Sequence, residues 1–432
     1  MNLNTIQVAY DISILGQGYT NSKARTGIYR AVESLLLEII QKNQIDFNVL
    51  CLNKDSSYWD YLTTEIYIEN LNQVISTITP YPSNFFLQKP YKSLVERYCY
   101  TLKTRMTLNP LNYKLIQAIK LNIQLLDRAI LKPDISHINL DLYHSTYFPL
   151  PRLSNNLKKV ITIYDLIPQI FPDFVTSQVK RRGRRIIDSI NINKDWITCI
   201  SENTKQDFCN YTGMNPERVF VTPLAASENF YPVSDPAIIS QKLKQYQIPE
   251  QPYLLSLCTL EPRKNLNFLL QCFAQLLAQD PSLDLNLVLV GVSGWKNNNI
   301  FQTVQNNSLL KKHVIFTGYI PDHDLSAIYS GALAFVYPSL YEGFGLPPLE
   351  AMQCGTPVIT SNTSSLPEVV GDAGIIINPH QSDDLCQAML ELINNATLRN
   401  QLSQKGIDRA TQFSWAKCAA ETIKVYKIAA NS

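Results

Sequence analysis

The chain has 432 residues, which is long for one domain and sufficient for two. Apolar residues make up 45% of it, enough for two buried cores, and the net charge of +2 argues against a nucleic-acid-binding protein, because such proteins carry a marked excess of positive charge. The sequence does not begin with a basic stretch followed by an apolar one, and it has no run of about 18 apolar residues, so we expect neither a signal peptide nor a membrane-spanning helix. Nine scattered cysteines without a C-x-x-C pair favour buried thiols in a reducing compartment, and we expect a cytoplasmic protein.

The N-terminal half alternates apolar, strand-like runs with helical segments. A first strand is predicted over Ile6–Leu15, followed by a glycine-containing loop and a helix over Ile28–Gln41. Further strands are predicted over Phe47–Leu52, Leu142–Thr146, Val160–Tyr164, Trp196–Ser201 and Val219–Pro223. Such alternation is typical of a parallel sheet covered by helices on both faces.

One segment of this half departs from the alternation. Between about residues 74 and 133, strand signals are few, and leucines and aromatic residues are interleaved with lysines and arginines. We predict that this segment forms one or more amphipathic helices inserted into the first domain.

The C-terminal half repeats the alternation more regularly. Strands are predicted over Tyr253–Leu260, Leu285–Val290, His313–Tyr319, Ala332–Tyr337, Pro357–Ser361 and Ala373–Asn378, with helices over Leu266–Ala278, Asp324–Tyr329, Leu349–Cys354 and Asp384–Asn394. Prolines and polar residues cluster between Tyr231 and Pro252, where we place the domain boundary. The predicted fold is α/β, with two Rossmann-like, doubly wound domains over residues 1–235 and 236–412 that face each other across a cleft, and a last helical segment over 413–432.

Two adjacent cations, Arg263 and Lys264, follow the first strand of the second domain, just before a helix begins. Ligands of open α/β sheets bind at the carboxyl ends of the strands, and a helix N-terminus favours anions. A planar guanidinium and an ammonium in this position suit a diphosphate. Taken alone, the pair is equally typical of solvated surface cations.

A second junction between a strand and a helix carries Glu342, Gly343, Gly345 and Glu350. The glycines allow the backbone to approach a ligand closely, and two prolines begin the helix. Carboxylates in the loop and early in the helix are suited to accept hydrogen bonds from vicinal hydroxyls of a sugar and a ribose. An ordinary turn, with a glutamate near the helix dipole, is the simpler alternative. Two glutamates, two glycines and two prolines in this order are nevertheless far more specific than a G-x-G pair.

These segments resemble the retaining glycosyltransferases of family 4 (glycosyltransferase group 1), which have the GT-B fold. Glu342 and Glu350 match the family's E-x7-E motif, and residues 354–359 (Cys-Gly-Thr-Pro-Val-Ile) and 366–374 (Leu-Pro-Glu-Val-Val-Gly-Asp-Ala-Gly) match as well. Residues 25–30 (Arg-Thr-Gly-Ile-Tyr-Arg), 165–168 (Asp-Leu-Ile-Pro) and 261–265 (Glu-Pro-Arg-Lys-Asn) are most similar to a mannosyltransferase-like branch. The resemblance extends over nearly the whole chain and is strongest after about residue 160.

The resemblance implies a role for each matching residue toward a nucleotide-diphosphate sugar. Arg263 and Lys264 would hold the diphosphate, Glu342 would contact hydroxyls of the donor sugar, and Glu350 would bind the ribose. Backbone N–H groups of Gly343, Phe344, Gly345 and Leu346 would contact sugar and phosphate, and Gly27 would lie in a loop that closes over the diphosphate and the acceptor. The last segment would form a helix that crosses back onto the first domain, which would bind a saccharide or lipid-linked acceptor.

The chain departs from the family at Tyr164, where many members have a histidine close to the reacting sugar. A tyrosine can donate a hydrogen bond, but it offers no imidazolium near neutral pH. Two further candidates for the catalytic site are His144, near the end of another predicted strand, and Asp165, which directly follows Tyr164. Each also fits a structural role, His144 as a hydrogen-bonded core residue and Asp165 as a cap at a strand end.

Transfer with retention requires weakening the bond between the anomeric carbon and the diphosphate, and preorganised positive charge on the leaving phosphate is the largest help available. Arg263, Lys264 and a helix N-terminus would supply it. No D-x-D pair stands in a suitable loop, because Asp322 and Asp324 are predicted to cap a helix. We therefore expect no metal and no cofactor besides the donor. An internal return, in which the leaving phosphate takes the acceptor proton, fits the lack of an evident nucleophile.

A dense cationic run lies on a predicted helix of the first domain. Its members are Lys180, Arg181, Arg182, Arg184 and Arg185. Peripheral contact with an anionic membrane surface, or with a lipid-diphosphate acceptor, is one interpretation. A helix with a solvated face is the other.

Two further functional classes fit two Rossmann-like domains. A nucleotide-sugar epimerase-like isomerase would need acid and base residues in the cleft, and the Arg263–Lys264 pair with the Glu342-to-Glu350 motif argues against it. A non-catalytic sugar-binding subunit of a glycosyltransferase complex is compatible with Tyr164. The resemblance favours GDP-mannose as the donor, with UDP-sugars as the alternative.

Overall fold

The computed structural model describes residues 6–20, 27–52, 58–71, 75–81, 88–103, 118, 120, 134–135, 138–154, 156–294 and 298–432. Two parallel β-sheets with helices around them account for most of these residues. We call residues up to the last strand of the first sheet the N-terminal unit, and the second sheet with its helices the C-terminal unit.

The N-terminal unit is built on a seven-stranded sheet with the strand order β3-β2-β1-β4-β5-β6-β7. Its strands are β1 (Gln7–Asp11), β2 (Asp46–Leu50), β3 (Ser76–Thr77), β4 (Leu142–Ser145), β5 (Lys158–Ile163), β6 (Trp196–Cys199) and β7 (Val219–Val221). Its helices are α1 (Ser13–Thr20), α2 (Gly27–Lys42), α3 (Tyr58–Glu69), α4 (Gln88–Lys103), α5 (Ile167–Ile170), α6 (Ser177–Asp188) and α7 (Glu202–Thr212).

The C-terminal unit has a six-stranded sheet in the doubly wound order β10-β9-β8-β11-β12-β13. Its strands are β8 (Tyr253–Leu257), β9 (Asn286–Val290), β10 (Val314–Gly318), β11 (Ala334–Tyr337), β12 (Val358–Ser361) and β13 (Gly374–Ile377). Its helices are α8 (Pro236–Gln245), α9 (Leu266–Gln279), α10 (Asn298–Gln305), α11 (Ser308–His313), α12 (Asp322–Ser330), α13 (Leu346–Gln353), α14 (Leu366–Val370), α15 (Ser382–Asn394) and α16 (Ala396–Ala410). The chain ends in α17 (Trp415–Ala430).

The apolar runs of the C-terminal half form its central strands because a parallel sheet is covered on both faces. All five residues of β9 and all four residues of β11 are buried. The order of strands reverses between β8 and β11, which places a crevice at the carboxyl ends of these two strands. The strand orders of the two sheets confirm the prediction of two doubly wound α/β domains.

The first strand is shorter than the predicted Ile6–Leu15. The carboxylate of Asp11 accepts a hydrogen bond from the backbone N–H of Ser13 at 2.8 Å, and this local bond turns the chain out of the sheet and into α1. The apolar residues after Asp11 therefore pack as part of a helix. Apolar composition alone did not distinguish the two outcomes.

Most of the predicted helical insertion at residues 74–133 lies outside the described residues. Within it, the structure describes the short strand β3 and the helix α4. Near the start of α4, Lys92 forms ion pairs of 3.0 Å with Glu65 and Glu69 of α3.

The last helix, α17, packs on the N-terminal unit and not on the sheet that precedes it in the sequence. Its buried face joins the core beneath α2 and β1. The hydroxyl of Tyr426 lies 2.6 Å from Nδ1 of His144, a residue of β4, while Nε2 of His144 lies 2.8 Å from the hydroxyl of Thr162. The helix thus ties the end of the chain to the first sheet through a buried hydrogen-bonded group.

No helix in the described part of the chain is both long enough and apolar enough to cross a membrane.

The burial of His144 predicts a pH dependence of stability. Burial lowers the pKa of its imidazole to about 3, whereas an unfolded histidine takes up a proton near pH 6.5. Between these values the unfolded chain binds the extra proton, so stability falls as the pH is lowered. In urea unfolding, we expect the wild type to lose about 2 kcal/mol more than His144→Gln between pH 7 and pH 5. Equal losses in the two proteins would contradict this assignment.

Candidate functional site

The carboxyl ends of β8 and β11 bring the two predicted motifs together. After β8, a turn of 3₁₀ helix over Pro262–Lys264 carries both cations. The loop after β11 is attached to this turn, because the backbone N–H of Leu340 donates to the carbonyl of Arg263 at 2.9 Å. The Ser339 hydroxyl oxygen also lies 3.2 Å from this carbonyl oxygen. Side chains distant in sequence are thereby held on one rigid edge of the sheet.

At the centre of this edge, the buried carboxylate of Glu342 lies between the two cations. Its Oε2 is 2.7 Å from Nη1 of Arg263, and its Oε1 is 2.6 Å from Nζ of Lys264. Hydroxyls of Ser339 and Tyr337 also donate to Oε1, at 2.6 and 3.0 Å. Burial opposes the ionisation of Glu342, but the two cations outweigh it and lower the pKa of this carboxyl to about 2.

Arg263 has two further acceptors, both on the C-terminal unit. Nη2 donates to Glu261 at 2.6 Å, and Nη1 donates to the carbonyl of Tyr341 at 2.6 Å. Burial raises the pKa of Glu261, and the nearby Arg263 and Lys264 oppose that rise. Three acceptors of the C-terminal unit thus orient the guanidinium. Because a guanidinium has five N–H donors, some remain for other acceptors.

The glycine-containing loop that follows Glu342 contacts the N-terminal unit. The carbonyl of Gly343 accepts hydrogen bonds from the hydroxyls of Ser201 and Thr204, at 2.7 and 3.1 Å, at the start of α7. A Cβ atom on Gly343 would lie 2.0 Å from the carbonyl oxygen of Tyr164, so only glycine fits. Gly345, with φ of +123°, then turns the chain into α13.

Of the other residues in the segment from Gly343 to Leu346, Phe344 lies in the core and Leu346 lies at the cleft. Phe344 is buried and packs edge to face on Phe413, with ring centroids 5.8 Å apart. Leu346 begins α13 and lies against the N-terminus of α2, since a Cβ atom on Gly27 would be 3.6 Å from its Cδ1. The structure therefore brings Gly27 to the predicted segment from the opposite unit.

Asp165, which follows β5 of the N-terminal unit, faces the cation cluster, and it lines one cavity with Arg263 and Tyr164. The ring of Tyr164 packs edge to face on Tyr147, with ring centroids 6.3 Å apart. Burial raises the pKa of Asp165, and Arg263 opposes that rise through its charge. The Asp165 carboxylate also accepts the backbone N–H of Ile167 at 2.9 Å, which caps α5. Burial also raises the pKa of Tyr164, so its phenol stays neutral near physiological pH. Asp165 thus combines the structural role with a place beside the predicted site.

Glu350 lies on α13 and is buried, and a side chain of the N-terminal unit contacts it. Arg30 of α2 places Nη1 3.3 Å from Oε1 of Glu350 and 2.9 Å from Oδ2 of Asp322. The hydroxyl of Tyr329 donates to Oε2 of Glu350 at 3.3 Å. Burial and Asp322 raise the pKa of Glu350, and Arg30 opposes them.

His144 does not join this cluster. It is fully buried in β4, between α17 and Thr162, and both of its ring nitrogens are used in the hydrogen bonds described above. Burial keeps it neutral, so the predicted place in the cleft is wrong and the structural alternative holds. The position of His144 near the end of a predicted strand did not show on which side of the sheet its side chain packs.

Three site residues were missed or undervalued in the sequence. Arg30 was noted only as part of a matching motif, and nothing local to it indicates its two partners on the other unit. Ser201 caps α7, and its hydroxyl also donates to the carbonyl of Gly343. Glu368 accepts the backbone N–H groups of Glu202 and Asn203, at 2.9 and 3.3 Å, and so caps α7 from the C-terminal unit.

Beside Arg263, a mostly apolar cavity of about 230 Å³ enters the N-terminal unit between β5 and α6. Arg182 lines both this cavity and a second opening of about 490 Å³, which Arg181 and Arg185 also line. The Arg182 guanidinium donates to the hydroxyl of Tyr147 at 2.8 Å, while Arg181 and Arg185 are exposed. The predicted cationic run therefore lies on α6, where Arg182 borders the cavity beside Arg263, and Arg181 and Arg185 border the second opening.

Among the residues that the structure describes, no three His, Cys, Asp or Glu side chains lie together as a group that could hold a metal ion.

Comparisons with known proteins agree with this geometry. Residues 239–409 match the model of the family described as glycosyl transferases group 1. The chain is 35% identical over 292 residues to the O-antigen chain mannosyltransferase B of Escherichia coli, covering 66% of this chain and 74% of the relative. It is 31% identical over 305 residues to the serotype-specific mannosyltransferase WbdA of Escherichia coli, covering 67% of this chain but only 36% of that longer protein.

Two solved structures cover almost the whole chain. Sucrose-phosphate synthase from Thermosynechococcus elongatus is 19% identical with a TM-score of 0.62, and 98% of each chain is covered. Anabaena HepE in complex with UDP and glucose is 16% identical with a TM-score of 0.60, and the comparison covers 97% of this chain and 98% of that one. The predicted GT-B fold is confirmed.

The ion pairs of Glu342 predict a large effect on stability. Lys264→Met leaves a buried carboxylate with one cation fewer, and we expect the free energy of unfolding to fall by about 3 kcal/mol, since removing one partner of a buried pair costs roughly that much. Lys405→Met is the matched control, because Lys405 pairs with Asp372 at 3.0 Å on the exposed surface; its loss should stay below about 1 kcal/mol. Urea unfolding measures both, and similar losses would rule out a stabilising role for the buried pair.

Proposed function

Because the chain belongs to the group 1 glycosyltransferases, we propose that it transfers a hexose, with retention of configuration, from a nucleotide-diphosphate sugar to a saccharide or lipid-linked saccharide. The observation that carries this proposal is the Arg263–Glu342–Lys264 cluster at the carboxyl ends of β8 and β11. It combines a buried cation, Lys264, and a largely buried one, Arg263, with an ionised carboxylate at the crevice of an open α/β sheet, opposite Asp165 of the other unit.

In this proposal, Arg263 and Lys264 bind the donor diphosphate. As the bond to the anomeric carbon breaks, negative charge grows on the leaving phosphate, and cations already held in place by the protein stabilise that charge without reorganising. Acceptors at Glu342, Glu261 and the Tyr341 carbonyl hold the guanidinium in its orientation. This arrangement supports transfer without a metal ion and without a further cofactor.

Glu342 is proposed to accept hydrogen bonds from hydroxyls of the donor sugar, which requires an ionised carboxylate, and its low pKa supports this role. Backbone N–H groups in the segment from Gly343 to Leu346 are proposed to contact the sugar and the phosphate, with Gly27 closing the opposite side. Glu350 is proposed to accept the ribose hydroxyls. Gly345 gives the backbone the positive φ needed to start α13 within reach of these groups.

Tyr164 is proposed to position the sugar by hydrogen bonding, because a phenol whose pKa is raised by burial keeps its proton near neutral pH and can donate a hydrogen bond without giving the proton up. The proton of the acceptor hydroxyl would then pass to the leaving phosphate, as in an internal return. Asp165, next in the chain and near Arg263, is the residue best placed to orient the acceptor hydroxyl.

The donor sugar is proposed to be mannose, carried by GDP, because the two relatives described above, at 35% and 31% identity, are mannosyltransferases. The acceptor is proposed to enter through the cavity between β5 and α6, because its apolar lining suits the face of a sugar ring. The cations at the second opening support an anionic partner, such as the surface of an anionic membrane on the cytoplasmic side.

A thermal-shift panel tests the donor site. In EDTA, GDP or GDP-mannose at about 100 times its dissociation constant should stabilise the wild type by about 2.7 kcal/mol. Lys264→Ala and Glu350→Ala should lose most of this shift, whereas the exposed-site controls Lys405→Ala and Glu391→Ala should keep it. If UDP and its sugars stabilise the protein while GDP compounds do not, the donor assignment changes. If no nucleotide acts in EDTA or with Mg²⁺, the donor site is refuted.

Product analysis then separates the three functional classes. A glycosyltransferase releases GDP and yields a glycosylated product with retained anomeric configuration. An isomerase alters the sugar of the donor without an acceptor. A non-catalytic subunit shows the thermal shift but no turnover with any acceptor.

Vesicle binding tests the cations at the second opening. Vesicles with anionic lipid should sediment the wild type, because clustered cations near a membrane contribute about 1 kcal/mol each. Arg181→Glu combined with Arg185→Glu should abolish this binding, while Lys405→Glu, which also removes a cation but lies on the C-terminal unit, should not. Binding to neutral vesicles that survives in the double variant would contradict a charge-based contact.

A further inference from the structure

Arg30 contacts the C-terminal unit although it belongs to the N-terminal one. It lies one turn after Gly27, where α2 begins against Leu346. From there Nη1 reaches Asp322 at 2.9 Å and Glu350 at 3.3 Å. About a third of its side chain is exposed, whereas the Glu350 side chain is almost fully buried. The guanidinium of Arg30 thus reaches across the cleft and contacts two carboxylates of the C-terminal unit.

The surroundings of Glu350 contain no other cation among the described residues that face it. Tyr329, which donates a hydrogen bond at 3.3 Å, and Asp322 approach from α12, and Cys354 follows directly after α13. Both burial and the like charge of Asp322 disfavour the ionised form of Glu350. The positive charge that offsets them comes from the opposite unit.

We propose that Arg30 is a positioning residue that reaches across the cleft to orient Glu350, so that recognition of the donor ribose by the C-terminal unit depends on its contact with the N-terminal unit. This inference rests on the proposed role of Glu350 as the ribose ligand. In this proposal Arg30 contacts the carboxylate of Glu350, and Glu350, not Arg30, binds the ribose. Nucleotide recognition and closure of the cleft are thereby coupled through one ion pair.

The charges also predict how variants of Arg30 respond to pH. Without the guanidinium, Glu350 keeps its burial and its like-charged neighbour Asp322, and its pKa rises further. A protonated carboxyl carries an O–H donor and accepts fewer hydrogen bonds than a carboxylate, so it binds vicinal hydroxyls less well. Raising the pH restores the ionised form, and removing the charge of Asp322 acts in the same direction.

The test compares GDP with 2′,3′-dideoxy-GDP by isothermal titration calorimetry. The two probes share base and diphosphate, so the ratio of their dissociation constants reports the ribose contact and is insensitive to general damage. In the wild type we expect GDP to bind at least about tenfold more tightly, as hydrogen bonds to a charged group imply. Arg30→Met should lower this ratio at pH 7, and raising the pH should restore part of it, whereas Arg30→Lys should retain most of it.

Adding Asp322→Asn to Arg30→Met should restore part of the ratio at pH 7, because the like charge beside Glu350 is gone. An unchanged ratio in Arg30→Met, or a larger one, overturns the inference; the larger ratio would mean that Arg30 competes with the ribose for Glu350. A wild-type ratio near one refutes the role of Glu350 as the ribose ligand, and the inference falls with it. Failure of both probes to bind refutes the donor site itself. If UDP proves to be the bound nucleotide, UDP and 2′,3′-dideoxy-UDP replace this pair with the same outcomes.

Discussion

The carboxylate of Glu342 between Arg263 and Lys264 is the interaction on which the rest of the site depends. Burying a charge costs several kcal/mol unless it is paired and hydrogen-bonded, and here each oxygen has a cation within 2.7 Å. The pairing joins the loop after β8 to the loop after β11, the two strands between which the order of the sheet reverses. A crevice common to doubly wound sheets is thereby converted into a charged, rigid site.

The second constraint is the close approach of the two units at Gly343. There is no room for a side chain beside the Tyr164 carbonyl, and Ser201 and Thr204 donate to the carbonyl of Gly343 from the start of α7. Glu368 caps the same helix from the C-terminal unit. The loop that carries Glu342 is therefore held from both sides, and the chemistry of the C-terminal unit depends on groups of the N-terminal one.

The fold was predictable where burial is simplest. Strands such as β9 and β11 are buried on both faces and read as continuous apolar runs, so the predicted bounds differ by one or two residues from those observed. The prediction was poorer near Asp11, where a local hydrogen bond to Ser13 ends the strand within an apolar run. The final helix was predicted as a helix from its pattern, but its place on the first sheet followed only from the family resemblance.

By itself, the sequence determined the two α/β units, the strand-to-helix junctions and the residue types that meet there, because these follow from local periodicity and from the positions of glycine, proline and charge. Only the tertiary structure decided which side chains face each other. It buried His144 against Tyr426, outside the cleft, and it brought Arg30 to Glu350 from 320 positions away along the chain. The physical reason is that both contacts arise where separate elements pack, and packing between distant elements leaves no periodic signal in the sequence around either partner.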